Sequence, residues 1–123
     1  MKDLHLNLKK EWFDMILSGE KTEEYRDIKP SIISLLFDWR KIGNTREYLE
    51  ATIKNDNDSA ECWCVLKDIG NIVFSNGYAK DRRQMIVELD HIKIHQGLAE
   101  WGAKKDEYYF VLSLGKVLSS NCN

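Results

Sequence analysis

Lys21, Glu24 and Arg26 are the residues whose types and spacing best suit chemistry in this chain. They fall in Gly19-Glu20-Lys21-Thr22-Glu23-Glu24-Tyr25-Arg26, which packs two cations and three carboxylates into eight residues. The stretch lies between an apolar segment with helical spacing and a helix-start signal. It therefore reads as a short strand, in which each side chain has a fixed direction. With Thr22 to Asp27 extended, Thr22, Glu24 and Arg26 share one face and Glu23, Tyr25 and Asp27 the other, while Lys21 leans over the first face from the turn. Arginine offers a planar fork of donors, lysine a compact ammonium, glutamate two acceptor oxygens. Such a set can read a planar polar ligand, or a phosphate beside one. The same residues can equally form a structural ion-pair lattice that ties strand to helix. Residues 19–27 hold two cations and four acids, a sum of −2, so the local sequence is not broadly basic. That favours a single base, a nucleotide or a short single strand over duplex.

A second candidate follows Asn76-Gly77, where Tyr78, Lys80, Arg82 and Arg83 place a ring beside basic groups. Single-stranded nucleic acid needs charge for phosphate and a ring for stacking; the alternative is a solvated loop. Glu88 lies between Ile86 and Ile92 on an apolar stretch. A carboxylate so placed is costly unless it is paired or faces a cavity, and Lys21 or Arg26 is the expected partner. His91 and His95, with Cys62 and Cys64, do not make a metal site: four residues along a strand span roughly 13 Å, too far for two imidazoles on one ion. No metal and no cofactor is expected. Trp12, Trp39, Trp63 and Trp101 are assigned to the core by position, with Trp101, before Gly102, as the candidate cleft ring. No Ser-His-Asp or Cys-His arrangement, phosphate loop or dinucleotide fingerprint is present.

The elements that must position these residues are short. Leu4, Leu6 and Leu8 alternate with His5 and Asn7, the pattern of a half-buried strand. Trp12, Phe13, Ile16 and Leu17 give Lys10 to Ser18 an apolar helical stripe, and Gly19 suits the helix C-cap. Pro30-Ser31 starts a second helix, with Ser31 as N-cap and Ile32, Ile33, Leu36, Phe37 and Trp39 buried. A third helix is expected from Thr45 through Ile53, then a polar loop over 55–59. A short helix over 60–68 follows, with Asp58 and Glu61 as a capping box; a strand over Cys62-Trp63-Cys64-Val65-Leu66 is the alternative. From residue 71 the pattern is β. Asn76-Gly77 is a tight-turn dipeptide. Residues 84–95 form a long strand whose apolar phase shifts from Met85, Val87 and Leu89 to Ile92 and Ile94, which predicts a bulge. A turn or short helix covers Leu98 to Ala103, and Tyr108, Phe110, Leu112 and Leu114 alternate into a last strand. Strands at both ends with helices between them predict a small, mixed α+β barrel in one domain.

The chain has 123 residues, 43% hydrophobic and 31% charged, with net charge −2. That size suits one domain. The charge weighs against non-specific duplex DNA binding, which draws on neutralised phosphates. No apolar run approaches the ~18 residues of a membrane span. Three cysteines without a framework fit a reducing compartment, so a cytoplasmic location is expected.

The spacing Gly19-x-Lys21-x-x-Glu24-x-Arg26 resembles the GxKxxExR pattern of the ASCH domain family, a relative of the PUA-like RNA-binding domains. Trp12 to Ser18, Phe74 to Tyr78, Glu88, Trp101-Gly102 and Phe110 to Gly115 resemble the rest of that family. The resemblance covers about residues 3–30 and 70–118; residues 31–69 do not follow the pattern and read as a helical insertion. It implies a PUA-like mixed β-barrel with flanking helices, and RNA or nucleotide recognition in a cleft beside the barrel. Lys21 and Arg26 would hold phosphate or base acceptors, Glu24 and Glu88 would accept from amines, and Asn76, Tyr78, Lys80 and Arg82 would line the far wall. Some relatives are implied to be hydrolases acting on RNA or a modified nucleoside. That reading makes Lys21, Glu24 and Glu88 the catalytic set, with the two carboxylates as the only candidates for a divalent ion. The threonine that an amidohydrolase of this kind places three residues after its lysine is Glu24 here. Removing that hydroxyl removes the usual nucleophile. A protein-interaction adaptor using residues 31–69 is the remaining alternative.

Overall fold

Alternating apolar residues pair into a five-stranded sheet in the computed structural model, which describes residues 2–36 and 69–121. The elements in chain order are β1 (Lys2–Asn7), α1 (Lys10–Leu17), β2 (Glu23–Arg26), α2 (Pro30–Leu36), β3 (Ile69–Asn76), β4 (Arg83–Gln96), a 3-10 turn (Ala99–Trp101) and β5 (Tyr108–Ser120). The strand order is β1-β3-β4-β5-β2, with β1 parallel to β3 and the other pairs antiparallel. This is a small α+β protein with a mixed half-barrel sheet and two helices among the described residues. None of those helices is long and apolar enough to cross a membrane. The expected helices over 45–53 and 60–68, the loop at 55–59, the insertion they form, the buried positions Phe37 and Trp39, and all three cysteines lie outside the described residues.

The sheet curls because β4 is irregular. Its register against β5 shifts between Ile86 and Val87, between Val87 and Leu89, and between Leu89 and His91. Each shift adds local twist. The phase change read from the sequence falls here: Met85 and Val87 face the core before the break, Ile92 and Ile94 after it. The main core gathers Leu4 and Leu6 of β1 with Leu8 just after it, Phe13 and Ile16 of α1, Ile33 and Leu36 of α2, and Ile72, Phe74, Phe110, Leu112 and Leu114 of the sheet. A second, smaller cluster forms on the other face of β5, where Tyr109 and Val111 pack with Ala103 and Tyr25.

Local signals set the element ends. Gly19 adopts φ +85°, the left-handed conformation that stops α1 at low cost. Two backbone bonds then aim the following stretch, from Lys21 N to Met15 O (3.0 Å) and from Leu114 N to Thr22 O (3.0 Å). The strand begins one residue later than expected, so Thr22 is exposed and only Glu24 and Arg26 share the inner face. Ser31 is not the N-cap of α2: Pro30 is its first residue, and the amides of Ile32 and Ile33 both reach Lys29 O. Proline suits that position because the lost N–H has no helical partner there. Asn76-Gly77 opens a longer connection, residues 77–82, since Asn76 pairs with Arg83 across the hairpin.

Phe74 is fully buried in the main core. Phe74→Ala is expected to lower unfolding free energy by about 3–5 kcal/mol in urea titrations, whereas loss of less than ~1 kcal/mol would mean that the sheet does not close over it.

Candidate functional site

Among the described residues β1 and β2 are the two edges of the sheet, and the half-barrel stays open between them. Side chains bridge this seam. Arg26 Nη2 on β2 donates to Asn7 O on β1 (2.8 Å) and to Glu24 Oε2 (2.8 Å). Lys21 Nζ donates to the other oxygen, Glu24 Oε1. One carboxylate thus lies between two cations. The Lys21 side chain has no solvent exposure, that of Glu24 8% and that of Arg26 21%. The three expected residues converge, with Lys21 leaning in from the turn as its spacing suggests.

Burial sets the electrostatics. Desolvation holds the Lys21 ammonium below the ordinary lysine pKa, outweighing the attraction of Glu24. The Arg26 charge acts in the same direction. Two rings partly replace water around that ammonium: the Trp12 centroid lies 5.1 Å from Nζ and the Tyr25 centroid 5.7 Å, within cation–π range. Glu24 remains ion-paired on both sides, so it is a hub rather than an unengaged acceptor.

A cleft of about 350 Å³ opens over this set. Asn7, Leu8 and Lys9 form one side, and Glu24, Tyr25, Arg26 and Asp27 another. Trp101, Gly102 and Lys104 from the connection after β4 border it, with Tyr109 of β5 and Trp12 of α1. Gly102 has φ +100°, and a Cβ there would stand 3.0 Å from the Trp12 ring, so glycine lets this connection lie against the indole. Tyr25 and Tyr109 stack at 5.8 Å between centroids, tilted by 39°. Both phenols are anchored. The Tyr25 hydroxyl donates to Glu23 Oε1 (2.8 Å) and accepts from Leu98 N (2.9 Å). That of Tyr109 donates to Glu107 Oε2 (3.0 Å) and accepts from Lys104 N (2.9 Å). Arg26 Nε is a buried donor without a hydrogen-bond partner among the described residues.

The other expected residues are distributed differently. Asn76 donates from Nδ2 to Leu8 O (3.0 Å), and Gly77 exchanges two bonds with the Asn7 side chain (2.8 and 3.2 Å). This pins the 77–82 connection to the rim. Tyr78 is 89% exposed, Lys80 is exposed, and Arg82 turns back onto Ala79 O (3.2 Å). None of these four lines the cleft itself. Glu88 is half-buried, opposite Asn71 on β3 and beside Gly115 on β5, away from the cleft. Its expected partners, Lys21 and Arg26, pair with Glu24 instead, because those three approach from adjoining positions on one turn and strand. Glu24 and Glu88 therefore do not share an ion, and no group of three or more metal-ligating side chains occurs among the described residues. Arg83 packs over the Phe13 ring (4.6 Å) and bonds Asp14 (2.8 Å), clamping β4 to α1.

Sequence reasoning missed Lys9, Lys104, Tyr25 and Tyr109 as cleft residues and placed Trp12 in the core. The available signal was the unbroken apolar run Tyr108 to Leu112, which marks a strand buried on both faces. Comparison with family models, curated proteins and solved structures finds no match to the chain.

Removing one member of a buried ion set strands the others. Glu24→Ala is expected to lower stability by about 3–5 kcal/mol, and Lys21→Met by clearly less, in paired urea unfolding experiments; equal effects would contradict the hub role of Glu24. Burial also raises the Tyr25 phenol above its usual pKa of 10.0. A group raised in the folded state contributes stability that is complete below the unfolded value and declines as pH climbs beyond it. The stability advantage of the native chain over Tyr25→Phe is therefore expected to shrink above about pH 10, while a pH-independent difference would place the phenol in water.

Proposed function

We propose that the cleft at the seam binds RNA or a nucleotide, taking one base or the end of a short single strand. The observation that carries this reading is a cleft of about 350 Å³ over the ion set, bordered by the indoles of Trp12 and Trp101 and by Arg26, whose guanidinium is fixed by Glu24 and Asn7. The Arg26 side chain keeps 21% of its surface exposed at the cleft, and a guanidinium can donate to a ring nitrogen, a carbonyl or a phosphate oxygen. The volume lies at the small end of ligand pockets, roughly 300–1,000 Å³, which suits one nucleotide and excludes a duplex. Trp12 and Trp101 supply ring faces of the kind on which unstacked bases rest.

The resemblance to the ASCH family supports the same reading, since Lys21, Glu24 and Arg26 are the residues that carry it. A PUA-like barrel is the fold this implies for the half-barrel sheet. Tyr78 and Lys80, exposed on the connection that Gly77 anchors to Asn7, would contact a flanking nucleotide. A cytoplasmic location belongs to this proposal. The hydrolase alternative gains no support from the geometry: Glu88 stands apart, and Glu24 is neutralised by two cations.

Arg26→Lys keeps the charge but removes the planar fork. It is expected to weaken binding of a labelled short RNA or a mononucleotide by about tenfold or more in fluorescence titrations, consistent with loss of a charged hydrogen bond. Unchanged affinity, with the variant folded by circular dichroism, would remove Arg26 from the binding site.

A further inference from the structure

The charge of the cleft is opposite to that of the chain. Lys9, Arg26 and Lys104 line it, and Lys21 lies beneath. Against the three lining cations stand two carboxylates, Glu24 and Asp27, so the lining sums to +1 on a protein whose net charge is −2, and Lys21 beneath it is paired with Glu24. The −2 sum of residues 19–27 is misleading because that stretch splits in space. Glu20 is exposed, and Glu23 turns to the Tyr25 hydroxyl and to Lys93 (3.9 Å). Glu107 is likewise engaged with Tyr109.

We infer that the cleft selects a terminal phosphate, as carried by a mononucleotide or by the phosphorylated end of a short strand, over a neutral nucleoside or an internal phosphodiester. The inference rests on the nucleotide reading of the same site. A phosphate monoester carries roughly −1.5 to −2 charges near pH 7, so a positive lining attracts it most strongly. A backbone phosphodiester carries about one and is attracted less. Lys9 and Lys104 are exposed and attract the phosphate through screened charge, while the partly buried Arg26 is screened less. The partly exposed Arg26 guanidinium adds a directional donor, and hydrogen bonds between ionised partners are the strong ones.

Calorimetric titration of the full chain tests this with five probes: a nucleoside, its 5′-monophosphate, inorganic phosphate, and one short RNA with and without a terminal phosphate. The monophosphate is expected to bind about tenfold or more tightly than the nucleoside, as a charge-assisted contact implies. Removing the terminal phosphate from the RNA should cost a similar factor, and Lys104→Met should narrow the gap between monophosphate and nucleoside. A gap confined to the mononucleotide pair would restrict the source to free nucleotides; a gap confined to the RNA pair would restrict it to strand ends. Equal affinities within both pairs would overturn the inference and leave nucleotide binding standing. Inorganic phosphate bound as tightly as the monophosphate would overturn it as an anion site only. Absence of binding by every nucleoside, nucleotide and RNA would defeat the underlying reading together with the inference.

Discussion

Three charged groups, Lys21, Glu24 and Arg26, leave water together or not at all. Each buried alone would carry a desolvation cost of several kcal/mol. As a set they share one carboxylate, whose two oxygens meet two cations. Their convergence depends on backbone placed by neutral residues: the left-handed Gly19, the Lys21 amide on Met15, and Leu114 holding Thr22. The ion set in turn fixes where the sheet stops. Arg26 spans from one edge strand to the other by bonding Asn7 O, so a side chain completes what the backbone ladder leaves open.

That opening connects fold to function. A fully closed small barrel fills its interior with side chains, whereas the half-barrel keeps a seam. The apolar layers already bury Phe13, Phe74 and Phe110 on the inner face. The seam is left to groups that tolerate partial water: two indoles, two anchored tyrosines and the guanidinium. Anchoring matters because rings and donors held by packing and hydrogen bonds lose less freedom when a ligand arrives. Here Glu23, Leu98, Glu107 and Lys104 hold the two phenols before any ligand is present.

Local features of this site are legible in the sequence. Helix, glycine and strand follow in order from residue 10 to 26, and alternation assigns Glu24 and Arg26 to one side. The β4 bulge is legible as a phase change in the apolar pattern. Long-range neighbours are not. Nothing near Glu88 in sequence reports that β4 turns it toward Asn71 and Gly115, since the shift in register is decided by pairing with β5. Lys9 and Lys104 look like ordinary surface lysines until the connection after β4 folds back beside β1. Trp12 sits on the apolar stripe of α1 and therefore reads as core, yet a helix of eight residues has a stripe wide enough to serve both core and cleft. Net charge over a window also misleads in a strand, because alternate side chains point to opposite sides.

The most direct measurement is a double-mutant cycle between Glu24→Gln and Arg26→Met, read by urea unfolding at neutral pH. Residues that share one buried network couple by 0.5–3 kcal/mol, and distant ones add within about 0.5. A coupling of about 2 kcal/mol or more is expected if the pair closes the seam as a unit. Additive losses would mean that the two side chains act independently, and that the cleft floor is not the ion set described.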